Sequence, residues 1–248
     1  MKYNLSNLNF HMFIKFFDYK ISENLPTIDL NKKITVNTIN AHAFICAESD
    51  NRFKKSLLKS DIVTPDGVGV TLALFFIKKL KINKVAGWDI HKFYLNQAEA
   101  KKLKVFYMGA GDSTLIKIKE KIGMKFPNVE VDTYSPPFKP VLSKKDNEKI
   151  IKKINDFAPH ILFVGMTAPK QEKWVYENID FISCNVACSI GAVFDFFAET
   201  QKRASKIWIK LHLEWLERFL RNPKKMYDRV FISIPKFLFF LIKNRKII

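Results

Sequence analysis

Lys104-Val-Phe-Tyr-Met-Gly-Ala-Gly-Asp-Ser113 decides the fold: it reads as a strand ending in a glycine-rich turn, and a helical pattern follows to about residue 126. The same alternation continues outward. Toward the C-terminus, 129–134 reads as a strand, Pro136, Pro137 and Pro140 mark a loop, and 146–157 reads as a helix. A strand at 161–164 then runs into Gly165-Met-Thr-Ala-Pro-Lys-Gln-Glu-Lys-Trp174, which opens a helix, and 185–190 is a strand leading to Gly191. Toward the N-terminus, 87–101 and 69–79 are helical, 61–64 is a short strand entering Pro65-Asp66-Gly67, 41–58 reads as one helix, and 34–38 as a strand. Residues 10–17 are apolar and basic, a strand or a short helix. Strands alternating with helices argue for βαβ units, so the expected class is α/β, a mostly parallel sheet with flanking helices.

Composition agrees. Of 248 residues, 48% are apolar and 23 are Phe, enough for a real core, which excludes a disordered chain. Eight glycines are few for an all-β protein of tight turns. The odd cysteine count (Cys46, Cys184, Cys188) offers no disulfide framework and fits a reducing compartment. No apolar run reaches the roughly 20 residues that span a bilayer. The N-terminal stretch lacks the small-residue cleavage site of a signal peptide, so a cytoplasmic location is expected.

The formal charge is +18, and residues 201–248, with 13 Lys/Arg against Glu214, Glu217 and Asp228, carry +10 of it. Within that segment Ile207, Trp208, Leu211, Trp215, Leu216 and Phe219 recur at helical spacing among Lys202, Arg203, Lys206, Lys210, Arg218 and Arg221. An apolar run, 231–242, then ends at Lys243, Arg245 and Lys246. Large apolar side chains beside lysines suit an element lying on an anionic membrane surface, and packing of Trp208 and Trp215 on the core is the competing reading. The expected division is a core over 1–200 and a basic, amphipathic, membrane-associating C-terminal appendage over 201–248.

In an open parallel sheet ligands bind beyond the carboxyl ends of the strands. The polar and glycine-rich segments 37–42, 64–69, 109–113 and 165–171 fall there. Gly109-Ala-Gly-Asp112 has the form of a phosphate- or nucleotide-binding turn, although the full GxGxxG pattern is missing and an ordinary turn N-capped by Asp112 or Ser113 competes. Thr64-Pro-Asp-Gly67 sets a carboxylate at a strand end, where it serves as a general base or bonds its own turn. Gln171 can donate and accept, Lys170 or Lys173 can meet phosphate, and Glu172 reads as a first-turn acid. There is no DxD, HExxH or paired CxxC, so no metal site is expected.

These segments together resemble the WecG/TagA/CpsF family of bacterial glycosyltransferases. The matching stretches are Val36-Asn-Thr-Ile-Asn-Ala-His42, Val63-Thr-Pro-Asp-Gly-Val-Gly-Val70, Val85-Ala-Gly-Trp-Asp89, Leu162-Phe-Val-Gly-Met-Thr-Ala-Pro-Lys-Gln-Glu-Lys-Trp174, Ile190-Gly-Ala-Val-Phe-Asp-Phe-Phe197 and Leu213-Glu-Trp-Leu-Glu-Arg218. The resemblance implies a Rossmann-like core with an appendage that helps close the site and holds the enzyme at the inner face of the plasma membrane. It also implies an inverting, metal-independent enzyme. Such an enzyme moves an N-acetylmannosamine-type sugar from a UDP-sugar, used as substrate and not as cofactor, to polyprenyl-diphosphate-linked N-acetylglucosamine. The products feed teichoic acid, common antigen or capsule synthesis, and self-association is allowed.

Carried over by the resemblance, Asp66 is the general base, and Thr38, Asn40 and Gln171 orient the sugars. Gly109, Gly111, Asp112 and Gly165 line the nucleotide, Asp195 gives structural or donor-side support, and Arg218 neutralises the diphosphate. Lys84 stands where the family usually has arginine, keeping the charge but losing the bidentate fork. Glu199 and Cys188-Ser189 also depart from the usual glycines. Two alternatives of other classes are a basic nucleic-acid-binding protein, which no RRM, KH or helix-turn-helix pattern supports, and a nucleotide-dependent oxidoreductase, for which Asp132 is the only ribose-binding candidate.

Overall fold

The computed structural model describes residues 13–211 and 213–244; Arg245 and Lys246, and the first part of the apolar segment 10–17, lie outside them. Among the described residues eight strands form one sheet in the order β1-β2-β4-β3-β8-β7-β5-β6. They are β1 (Ile14–Phe16), β2 (Tyr19–Ile21), β3 (Ile34–Ile39), β4 (Ile62–Pro65), β5 (Lys104–Gly109), β6 (Glu130–Tyr134), β7 (Ile161–Gly165) and β8 (Val186–Ser189). All pairings are parallel except β1 with β2.

The central strands are apolar without alternation because both faces are covered. On β5, Val105 and Tyr107 enter one core cluster while Phe106 and Met108 enter another, and on β7 Ile161 and Phe163 part from Leu162 and Val164 in the same way. The first cluster is closed by α4 (Gly87–Lys101), α5 (Asp112–Lys125) and α8 (Val193–Phe197), and the second by α6 (Lys144–Phe157) and α7 (Lys170–Asn178).

A third cluster lies over β1, β2 and the near ends of β3 and β4. It joins α1 (Ala41–Ser49), α2 (Asn51–Leu58) and α3 (Val68–Lys78) to the last helix, α12 (Ile234–Lys243), which is preceded by α9 (Lys206–Lys210), α10 (Glu214–Arg221), α11 (Pro223–Tyr227) and a π-helical turn Asp228–Ser233. Phe44 stands at its centre, with ring centroids 5.4 Å from Phe237 and 5.1 Å from Phe240. Phe237 also meets Phe16 at 6.3 Å, and Phe240 meets Phe17 at 5.1 Å.

Two expectations need correction. The helix read over 41–58 is two helices, because the Asp50 carboxylate accepts from the backbone N–H groups of Arg52 and Phe53 and starts a new helix there. The final apolar stretch, read as facing lipid, buries Phe237 and Leu241 in the aromatic cluster, while Leu238, Phe239 and Ile242 stay exposed. Farther forward, Ile207 and Leu211 are exposed and Trp208 is half-buried. The inward packing of the appendage is therefore carried chiefly by its last helix. Among the described residues no helix is long and apolar enough to cross a membrane.

Candidate active site

β4 ends in a turn pinned on two sides. The Asp66 N–H donates to the Ile39 carbonyl of β3 (2.9 Å), the Val85 N–H donates to the Pro65 carbonyl (2.8 Å), and the Thr64 hydroxyl donates to the Val85 carbonyl (2.8 Å). Gly67 then takes φ +80° before α3, a conformation that favours glycine. The pinned Val85 carries Lys84 to the same place. Asp66, Asn40, Lys84 and Arg218 thus line one cavity of ≈ 670 Å³ between the strand ends, α3 and the appendage.

The electrostatics follow from that enclosure. Burial lifts the Asp66 carboxyl above its ordinary range, and the nearby Glu214 carboxylate adds to the effect. Arg218, a hydrogen bond from the Asn40 side chain and Lys84 oppose it. Asn40 is fixed from its other end, its Oδ1 accepting from the Ala43 N–H as the N-cap of α1. Lys84 Nζ lies 3.8 Å from Glu214, and the Arg218 guanidinium stacks 5.6 Å from the Phe196 ring centroid, so α10 touches the core at two points.

The other expected residues stand elsewhere along the strand ends. Thr38 is half-buried at the end of β3, in register with Thr64, and does not line the cavity. Gly109, Gly111, Asp112, Gly165 and Gln171 do not line it either; they sit where β5, β7 and their helices meet. A Cβ on Gly109 would fall 2.4 Å from the Gly165 oxygen, and one on Gly165 would fall 2.5 Å from the Phe194 ring, so these two glycines let strand and helix approach. Gly111 faces open space and is itself the N-cap of α5, which replaces the Asp112 or Ser113 cap expected.

Lys170 donates to the Lys139 carbonyl (2.6 Å) and Lys173 pairs with Asp50, so both lysines proposed for phosphate have partners inside the fold. Glu172 stands in the first turn of α7, as read from the sequence, and is buried there: its Oε1 accepts from the Gln171 amide (2.8 Å) and its Oε2 has no hydrogen-bond partner. Asp195 accepts from Thr200 and Gln201 and so holds its own loop. Among the described residues, no three His, Cys, Asp or Glu side chains converge as metal ligands would.

Sequence reasoning missed Glu214, Arg229 and His42 as cavity residues. The Arg229 guanidinium is held below its usual range by burial and by Arg218, with Asp66 acting in the opposite sense. His42 is held down by burial and Arg229, and its Nδ1 lies 2.7 Å from the Ser233 hydroxyl. Residues 213–218 marked the segment of Glu214, but nothing local to Arg229 distinguishes it from other lysines and arginines of the tail.

A parallel α/β sheet with a carboxylate and three cations in a cavity at its strand ends defines a class, and comparison with known proteins gives it a name. The chain belongs to the glycosyl transferase WecG/TagA/CpsF family, whose model matches residues 7–247, and it is a glycosyltransferase. It is 31% identical over 219 residues to the N-acetylglucosaminyldiphosphoundecaprenol N-acetyl-beta-D-mannosaminyltransferase of Bacillus spizizenii, covering 88% of this chain and 82% of that one. The enzymes of the same name from Bacillus subtilis (29% over 219 residues, 88% and 83%) and Staphylococcus aureus (25% over 227 residues, 90% and 87%) are also similar. Membership sets aside the oxidoreductase and nucleic-acid readings of its activity.

Proposed function

We propose that the protein transfers an N-acetylmannosamine-type sugar from a UDP-sugar to polyprenyl-diphosphate-linked N-acetylglucosamine, with inversion and without a metal. The relatives' names carry the acceptor and sugar. The observation that carries the mechanism is Asp66, a carboxylate lifted by burial in a cavity also lined by Lys84, Arg218 and Arg229. As base, Asp66 takes the proton of the acceptor hydroxyl while that oxygen attacks the anomeric carbon from the face opposite UDP. The bond to the UDP oxygen breaks as the new bond forms. Arg218, Arg229 and Lys84 supply positive charge for diphosphate, the task a metal performs in other transferases.

Gln171 and Thr38 orient the sugars in this reading, and the turn at Gly109, Gly111, Asp112 and Gly165 takes the nucleotide. The exposed Phe75, Phe76 and Phe239, with Lys79, Lys236 and Lys243 also on the surface, support attachment to an anionic membrane surface at the cytoplasmic face.

The test is radiolabelled transfer from UDP-N-acetylmannosamine to a lipid-diphosphate N-acetylglucosamine with EDTA present. Wild type is expected to transfer, and Asp66→Asn to lose about 10²–10⁴-fold in kcat, the usual contribution of a general base. Normal turnover by Asp66→Asn would remove the base assignment. Transfer abolished by EDTA and restored by a divalent cation would remove the metal-independent mechanism.

A further inference from the structure

The cavity that holds Asp66 has a second half that the sugar chemistry does not use. Away from Asp66, Lys84 and Arg218 its wall is hydrocarbon: Leu72, Phe76 and Ile77 from α3, and Phe237, Leu238 and Ile242 from α12. Four of these six also reach the surface, with Leu72 49%, Phe76 65%, Leu238 53% and Ile242 70% exposed. The apolar wall is therefore continuous from the enclosed space to the outside, and a lip of side chains from two helices stands at its mouth. Exposed apolar side chains gathered around a cavity mark a binding surface.

Neither a sugar nor a nucleotide has hydrocarbon to match such a wall. A molecule with an anionic head and a long apolar chain matches both halves at once. We propose that the groove between α3 and α12 is the binding site for the isoprenoid chain of a prenyl diphosphate. The diphosphate meets Arg218, Arg229 and Lys84, cations it shares with the UDP diphosphate when donor is bound, and the first isoprene units run along Ile77 and Phe237 and leave over Phe76 and Leu238. Half of the site is then contributed by α3, a helix of the core, and half by the appendage. The inference rests on the lipid-diphosphate acceptor of the proposed reaction, and binding without donor separates the two.

The experiment titrates the full-length protein, without sugar donor or vesicles, with inorganic pyrophosphate, geranyl diphosphate and farnesyl diphosphate by calorimetry. A buried methylene is worth about 0.8 kcal/mol, roughly fourfold in affinity, so each five-carbon unit that enters the groove should tighten binding at least about tenfold. Phe76→Ser combined with Leu238→Ser, at positions exposed enough to leave folding intact, should cut that gain to about threefold or less per unit. Phe181→Ser, at an exposed aromatic that does not line the cavity, should keep the full gain.

Equal affinity for pyrophosphate and farnesyl diphosphate would overturn the proposal, as would an undiminished length dependence in the double variant. Loss of vesicle adsorption in the double variant with unchanged farnesyl diphosphate affinity would also overturn it, since the lip would then be a membrane contact alone. Length-dependent binding with no sugar transfer would uphold the groove and remove the reaction.

Discussion

Two carboxyls near the strand ends, a half-buried Asp66 and a buried Glu172, are given different work by their surroundings. Asp66 is surrounded by cations and a second carboxylate in an open cavity, whereas Glu172 is packed beneath Gln171 with one oxygen unpartnered. A base acts only when deprotonated, so the raised Asp66 carboxyl should place the acid limb of kcat/KM above the ordinary carboxylate range. A pH–rate profile whose acid limb falls at an ordinary aspartate value would contradict this.

For Glu172, burial raises the carboxyl to about 7, against weaker opposition from the Gln171 hydrogen bond, its own backbone N–H and Lys173. The folded state therefore holds this proton more tightly than the unfolded state. The stability it confers is full below the ordinary glutamate range and is lost as pH rises toward about 7. Glu172→Gln keeps an acceptor for Gln171 and carries no charge. Denaturant titrations should find it close to wild type at acid pH and more stable above neutrality, by up to about 3 kcal/mol. A difference independent of pH would show that the fold does not shift the Glu172 carboxyl from its unfolded value. Sequence suggested only a favourable helix-start acid here, because burial at that position depends on the elements α7 packs against, α2, β7 and β8, and not on its neighbours in the chain.

At the scale of elements, the strand and helix order was legible because each turn between them carries glycine, proline or a polar cluster. The helix over 87–101 and the strands beginning at Lys104 and Ile161 stand where the pattern put them. The break between α1 and α2 escaped, since the apolar periodicity on either side of Asp50 is nearly continuous. What splits the helix is one side chain that satisfies two free N–H groups and also pairs with Lys173 of α7. The carboxylate is held below its ordinary range, first by the Lys173 contact and then, against some burial, by those backbone N–H groups. Asp50→Ala should cost about 1–2 kcal/mol, the usual value of such a cap, while Asp50→Asn should recover most of it. Thermal melts of the two variants would decide this, and an unaffected Asp50→Ala would show that α2 starts by packing alone.

The whole molecule joins core and appendage more closely than the charge map suggested. Charge marked the +10 segment as an element seeking an anionic surface, and its partners in the core, among them Phe16, Phe17, Phe44, Lys84 and Phe196, could not be seen, because they are distant in sequence from α10 and α12. The 23 Phe residues were visible as a number; their gathering of Phe16, Phe17 and Phe44 into a bed for Phe237 and Phe240 required the fold. Phe237 belongs both to this aromatic cluster and to the cavity wall, so it couples appendage docking to the site. Phe237→Ala removes a fully packed ring and should cost about 3–5 kcal/mol. If the appendage were an independent unit, the variant would melt in two steps, with the core transition unmoved. Docking as described predicts one transition shifted downward, together with a raised KM for the lipid acceptor, since Arg218, Arg229 and the α3–α12 groove all depend on the same helix staying in place. Phe237→Leu, which refills most of the volume, should restore both readouts together; recovery of stability without recovery of KM would mean that the ring, and not the docking it secures, is what the acceptor needs.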